Sequence, residues 1–92
     1  MLSNLGPGGA ATLLEHPDRL KAVNNEVEIM GVKVIDQYAL LGTYDFLNIL
    51  DAPDEVTMAK VASALAARGT MKLVTFTAIP IDDFVRALRP PS

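Results

Sequence analysis

A chain of 92 residues that is 50% hydrophobic but only 5% aromatic must build an aliphatic core, and one domain spanning 1–92 is expected, near the lower limit of what folds alone. A net charge of -3 and a pI near 4.9 argue against nucleic acid or an anionic membrane as ligand, since either selects a basic face. The lack of cysteine excludes disulfides, thiolate metal sites and thiol nucleophiles and suits a reducing cytoplasm, and no run approaches the roughly 18 apolar residues of a spanning helix.

Met1 to Leu5 is short and moderately apolar, with no basic n-region, and Gly6-Pro7-Gly8-Gly9 interrupts any signal-peptide h-region. The run Gly6 to Ala11 formally fits G-x-G-x-x-A, with Asp36 as a ribose-binding acid further on. Dinucleotide chemistry is nevertheless disfavoured. Asp36 lies thirty positions after Gly6, Pro17 breaks the helix, and the strands that follow form a hairpin rather than a parallel crossover. A turn into a helix is the better reading.

Ala10 to Glu15 is a short helical piece, and Pro17 suits the first turn of a second helix that runs to about Met30. Leu20, Val23, Val27 and Met30 recur at threes and fours and form a core-facing stripe. Gly31 stops it.

Val32 to Pro53 alternates with period two and predicts a long hairpin turning at Gly42-Thr43-Tyr44-Asp45. Glycine at the first central position suits a tight type II′ turn. Pro53 ends the second strand and Asp54 is placed to cap a helix over 54–68, which carries Met58, Val61 and Leu65 on one face and an alanine-rich remainder. Gly69 ends that helix, Thr70 to Ala78 reads as a last strand, and Pro80 stops it. Ile81, Phe84, Val85 and Leu88 make an apolar face on a closing helix begun by Asp82 and Asp83, and Arg89 to Ser92 form a tail.

Gly42, Tyr44 and Asp45, preceded by the extended run Val34 to Tyr38 and followed by a strand ending Asp51-Ala52-Pro53-Asp54, resemble the signature of the GYD-domain family. The similarity continues through the alanine-rich helix and the strand from Met71 to the tail helix at Leu88. It implies an α+β, ferredoxin-like βαββαβ antiparallel sheet with helices on one face and a short C-terminal helix, paired into a dimeric α/β barrel. It implies no established activity. It also makes Met1 to Leu5 the far end of a central first strand, so that strand is expected to be shortened or to start upstream.

Parity predicts a sheet apolar on both faces. Val32, Val34, Tyr38, Leu40, Phe46, Leu50 and Leu73 fall on one side, and Ile35, Leu47, Ile49, Val74 and Phe76 on the other. A patch of that kind is uncommon on a soluble monomer, so a second copy placed sheet to sheet is expected, with a larger protein assembly as a further partner.

Candidate chemistry is sparse. His16 is the only histidine, beside Pro17 and expected to be exposed, so one chain holds no triad or His-rich metal site. Two readings of the polar sheet residues stay open. In the first, Asp45 accepts turn amide hydrogens and is structural. In the second, Asp36, Tyr38, Tyr44, Asp45, Asn48 and Phe76 line a ligand pocket. No cofactor or metal is expected. A non-catalytic ligand-binding or accessory subunit is the first function class, and a small cofactor-independent enzyme, resembling the monooxygenases and isomerases of similar dimeric barrels, is the alternative.

Overall fold

The computed structural model describes residues 1–6, 8–68 and 71–90, and among these the elements follow as β1 (Leu2–Leu5), α1 (Gly9–Glu15), α2 (Arg19–Ile29), β2 (Lys33–Ala39), β3 (Phe46–Asp51), α3 (Glu55–Ala66), β4 (Met71–Val74) and α4 (Ile81–Leu88). The expectations for Gly69, Thr70, Pro91 and Ser92 lie outside the described residues, as does that for Pro7. The four strands form one antiparallel sheet in the order β2-β3-β1-β4. With α2 and α3 packed on one face, this is the ferredoxin-like α+β arrangement.

Each helix boundary has a local cause. Asp54 caps α3, accepting the backbone N–H of Thr57 at 2.6 Å, which holds its carboxyl below the usual aspartate range. At the end of α2, Gly31 takes a φ of 97°. The amide of Gly31 then bonds the carbonyl of Glu28 (3.0 Å), and that of Val32 bonds the carbonyl of Val27 (3.2 Å). This is a Schellman closure, and its apolar clasp, Val27 with Val32, is itself part of the core. Pro17 lies ahead of α2 in a turn where the amide of Arg19 bonds the carbonyl of His16, so the helix proper starts slightly later than expected.

The core sits between the sheet and the two helices. Val27 of α2, Val32, and Val61 and Leu65 of α3 are buried there, with Val34, Leu50, Met58 and Leu73 packed around them. An ion pair between Arg68 and Glu26 ties the end of α3 to α2 at the surface.

Three local expectations are corrected. The hairpin connection is wider than a two-residue turn: β2 stops at Ala39, β3 starts at Phe46, and the amide of Leu40 bonds the carbonyl of Asp45 across Leu41 to Tyr44. The reason is that Asp45 is engaged by β1 and cannot close a tighter turn. The last strand stops at Val74 rather than Ala78, because Leu2 pairs with Val74 and the short β1 offers Thr75 to Ala78 no partner.

A bulge between Val34 and Asp36 gives the third correction. Val34 faces Leu50 and Asp36 faces Ile49, so Ile35 is an extra residue and the pleat after it is inverted. Tyr38 therefore faces away from the helices, opposite Leu47, and Gln37 takes the helix-facing side opposite Asn48 while staying exposed.

Candidate functional site

The Gly42-Thr43-Tyr44-Asp45 loop joins three strands through one residue. Gly42 takes a φ of 132°, in the region that favours glycine. Beyond it, the backbone N–H of Asp45 donates to the carbonyl of Ser3 (2.9 Å) and to Oδ1 of Asn4 (3.1 Å). Its Oδ2 accepts the amide of Leu5 (2.8 Å), and its carbonyl accepts that of Leu40. Asp45 thus ties the far end of β1 to the hairpin. The hydrogen that its carboxylate accepts comes from a strand remote in sequence and not from the turn itself.

Polar groups also enter the interior. Ser3 and Asn48 are only 2% and 6% exposed, on the helix-facing side of β1 and β3. Asn48 Oδ1 accepts from Gln37 Nε2 (2.8 Å), and Gln37 exchanges two further amide hydrogen bonds with Asn24 of α2 (3.0 and 3.2 Å). This chain of three amides satisfies a buried polar group that would otherwise cost a few kcal/mol, roughly 1–3. It also fixes the register of β2 after its bulge. A cavity of about 30 Å³ lies beside it, and a wider cleft of about 460 Å³ shares its walls at Leu20, Val23, Leu65 and Met71 and is also lined by Arg19 and Arg68.

Of the residues singled out for a pocket, Asn48 and Phe76 line one groove and the other four do not share it. Asn48 faces the helices, whereas Asp36 and Tyr38 face solvent on the opposite side. Tyr44 is half-buried in the hairpin loop, Asp45 serves the strands, and Phe76, 64% exposed, lies beyond the end of β4. On the helix-facing side Ser3 is buried, and Asn24 and Gln37 are joined to the buried Asn48 from nearer the surface, three residues that no sequence motif singles out. Gln37 was concealed by the bulge, since strict alternation sends it outward.

On the open side of the sheet Leu2, Leu47, Ile49, Val74 and Tyr38 share one face by register, with Asp36, Lys72 and Asn4 among them. Beyond Val74 the chain runs through Thr75 to Pro80 into α4, where no residue is buried. Its apolar residues, Ile81, Phe84, Val85 and Leu88, remain between 41% and 69% exposed. The arm gives the molecule extents of 58 × 29 × 19 Å and a radius of gyration of 15.4 Å. A compact chain of this length would give ~12 Å.

The open apolar area and the hydrogen-bonded polar groups under the helices thus belong to a ferredoxin-like α+β module. The chain matches the GYD domain family over residues 1–88 and belongs to it. It is 46% identical over 90 residues to the "glutamine synthetase and cystathionine beta-lyase binding protein" of Thermus thermophilus, covering 97% of this chain and 95% of that protein. No solved structure matches.

Proposed function

We propose that this chain is a non-catalytic binding subunit that pairs with itself and attaches, as an accessory module, to metabolic enzymes of the kind named for its relative, a glutamine synthetase and a cystathionine β-lyase. The observation that carries this reading is the likeness to a named binding protein along nearly the full length of both chains.

The physical features agree with it. Protein interfaces are distinguished by an apolar centre with a polar rim, and the open sheet face has Leu47, Ile49 and Val74 with charged residues near its borders. The enzymatic alternative calls for a carboxylate within a closed apolar pocket. The cavity beside the amide chain is instead lined by neutral polar side chains, Ser3, Asn24, Gln37 and Asn48, together with apolar ones. Among the described residues no helix is long and apolar enough to cross a membrane. We place the protein with its enzymes in the cytoplasm, as one domain built from residues 1–92.

Native mass spectrometry of the purified chain, alone and mixed with glutamine synthetase and cystathionine β-lyase from its own source, tests this. A dimer that adds to either enzyme at micromolar concentration is the expected result. A chain that ignores both enzymes and turns over a small molecule unaided would overturn it.

A further inference from the structure

The C-terminal arm and the groove beside it fit each other in shape, polarity and charge, yet each stands open. The groove, about 650 Å³, runs between α3 and the end of β3 and is walled on its third side by Thr75 to Ala78. Its lining is largely apolar or small, with Ile49, Ala52, Met58, Ala59, Ala62 and Phe76, and includes the polar Asn48. Alanines at Ala59 and Ala62 leave space for another backbone to approach. Ile49 also belongs to the open sheet face, so groove and sheet form one continuous surface. Its charged side chains, Asp51, Asp54 and Glu55, are all acidic, and Met1, whose ammonium donates to the carbonyl of Asn48, also lines it.

Helix α4 has the complementary character. Its apolar residues recur at i, i+3, i+4 and i+7, one stripe along a helix of eight residues; its second half carries Arg86, and Arg89 follows at its C-cap. A helix this short does not hold in water by itself, since about 12–15 residues are needed even for marginal helicity. Its stripe must therefore be covered. None of its residues lines the groove of its own chain, and none is buried anywhere in that chain.

We propose that the arm is exchanged: α4 of one chain seats in the α3–β3 groove of a second copy, its apolar stripe on Met58, Ala59 and Ala62, with Arg86 and Arg89 toward Asp51 and Glu55. This rests on the self-pairing reading and specifies how it is made. A second copy is the occupant because the arm's bases meet acids that the same chain supplies, and because one two-fold operation fills both grooves and both stripes. Asp82 and Asp83, at the start of α4, then lie away from the acidic rim. Asp83 already pairs with Arg86 along the helix face, and that exposed pair is weak enough to be exchanged.

The chain has no cysteine, so thiol cross-linking reads the geometry without interference. Ala59→Cys and Leu88→Cys are made singly, mixed, and oxidised mildly, with light scattering on each. The expected result is a mixed disulfide pair, at least tenfold more abundant than either variant's own cross-link, and a covalent dimer from the double variant. A second arm uses charge: Arg86→Glu with Arg89→Glu weakens the dimer at least tenfold at low salt, and adding the Asp51→Lys, Glu55→Lys chain restores it. A double variant whose two thiols close within one chain overturns the exchange. So does a dimer with neither cross-link nor charge response, an outcome that leaves self-pairing itself standing. A monomer by light scattering removes both, and cross-linking of α4 to an added enzyme instead of a second copy assigns the arm elsewhere.

Discussion

On the helix-facing side of the sheet, Val34, Leu50 and Leu73 meet Val27, Val61 and Leu65 and lose their water. On the other side Ile49, Val74 and Tyr38 are of similar character and remain open. The difference is not one of composition but of what the chain brings to each face. Two amphipathic helices, α2 and α3, cover one, whereas α4 is carried away on an arm. Burial within the chain thus gives the first face its stability, and the second stays exposed.

The largest effect that tests this contrast belongs to the covered side. Leu65→Ala removes a buried side chain from the centre of the core and should cost about 2–5 kcal/mol, read as a drop in the denaturation midpoint. On the open side the loss should appear in association instead. Ile49→Lys sets an ammonium opposite Asp36, a pairing that the strands tolerate, so the circular dichroism spectrum should persist. The same charge placed in an apolar interface should weaken the proposed dimer by at least about a hundredfold by light scattering, ~2.8 kcal/mol. If Ile49→Lys leaves the dimer intact, the open face is not the interface and the contrast fails.

Asp45 lies at the rim shared by both sides. Asp45→Ala leaves the amide of Leu5 without its carboxylate partner and should cost about 1.5–3 kcal/mol, with earlier hydrogen exchange in β1 than in β2. An unchanged melting profile would separate the Gly-Tyr-Asp signature from the holding of β1.

The smallest effect is a pH dependence confined to the start of α3. The amide of Thr57 lowers the Asp54 carboxyl in the folded chain, so the cap's contribution is present above the ordinary aspartate range and is lost as pH falls through the lowered folded value. Asp54→Ala should therefore melt slightly earlier than the parent at neutral pH, and the gap should close in strong acid. A gap that widens on acidification would show that the cap contributes by some other route.

Much of this molecule can be read from short stretches of chain, because the causes are local. Val27 and Met30 lie on the expected stripe of α2, Gly31 closes it, Asp54 caps α3, and the aliphatic alternation of β3 needs no distant information. The GYD signature likewise carries the family, and with it the order of the elements.

What required the fold were features whose cause lies far along the chain. The length of β4 was decided by the length of β1, since a strand lasts only as long as it has a partner to accept its hydrogen bonds. The role of Asp45 was decided by an amide forty positions away. One extra residue at Ile35 moved Tyr38 to the open face and drew Gln37 into the amide chain with Asn24 and Asn48, because a period of two has no memory across a bulge. Local propensity determined which segments are helix or strand. Only the assembled sheet, by deciding which groups are near enough to pair, determined which residues are inside, which are open, and where α4 is left without cover.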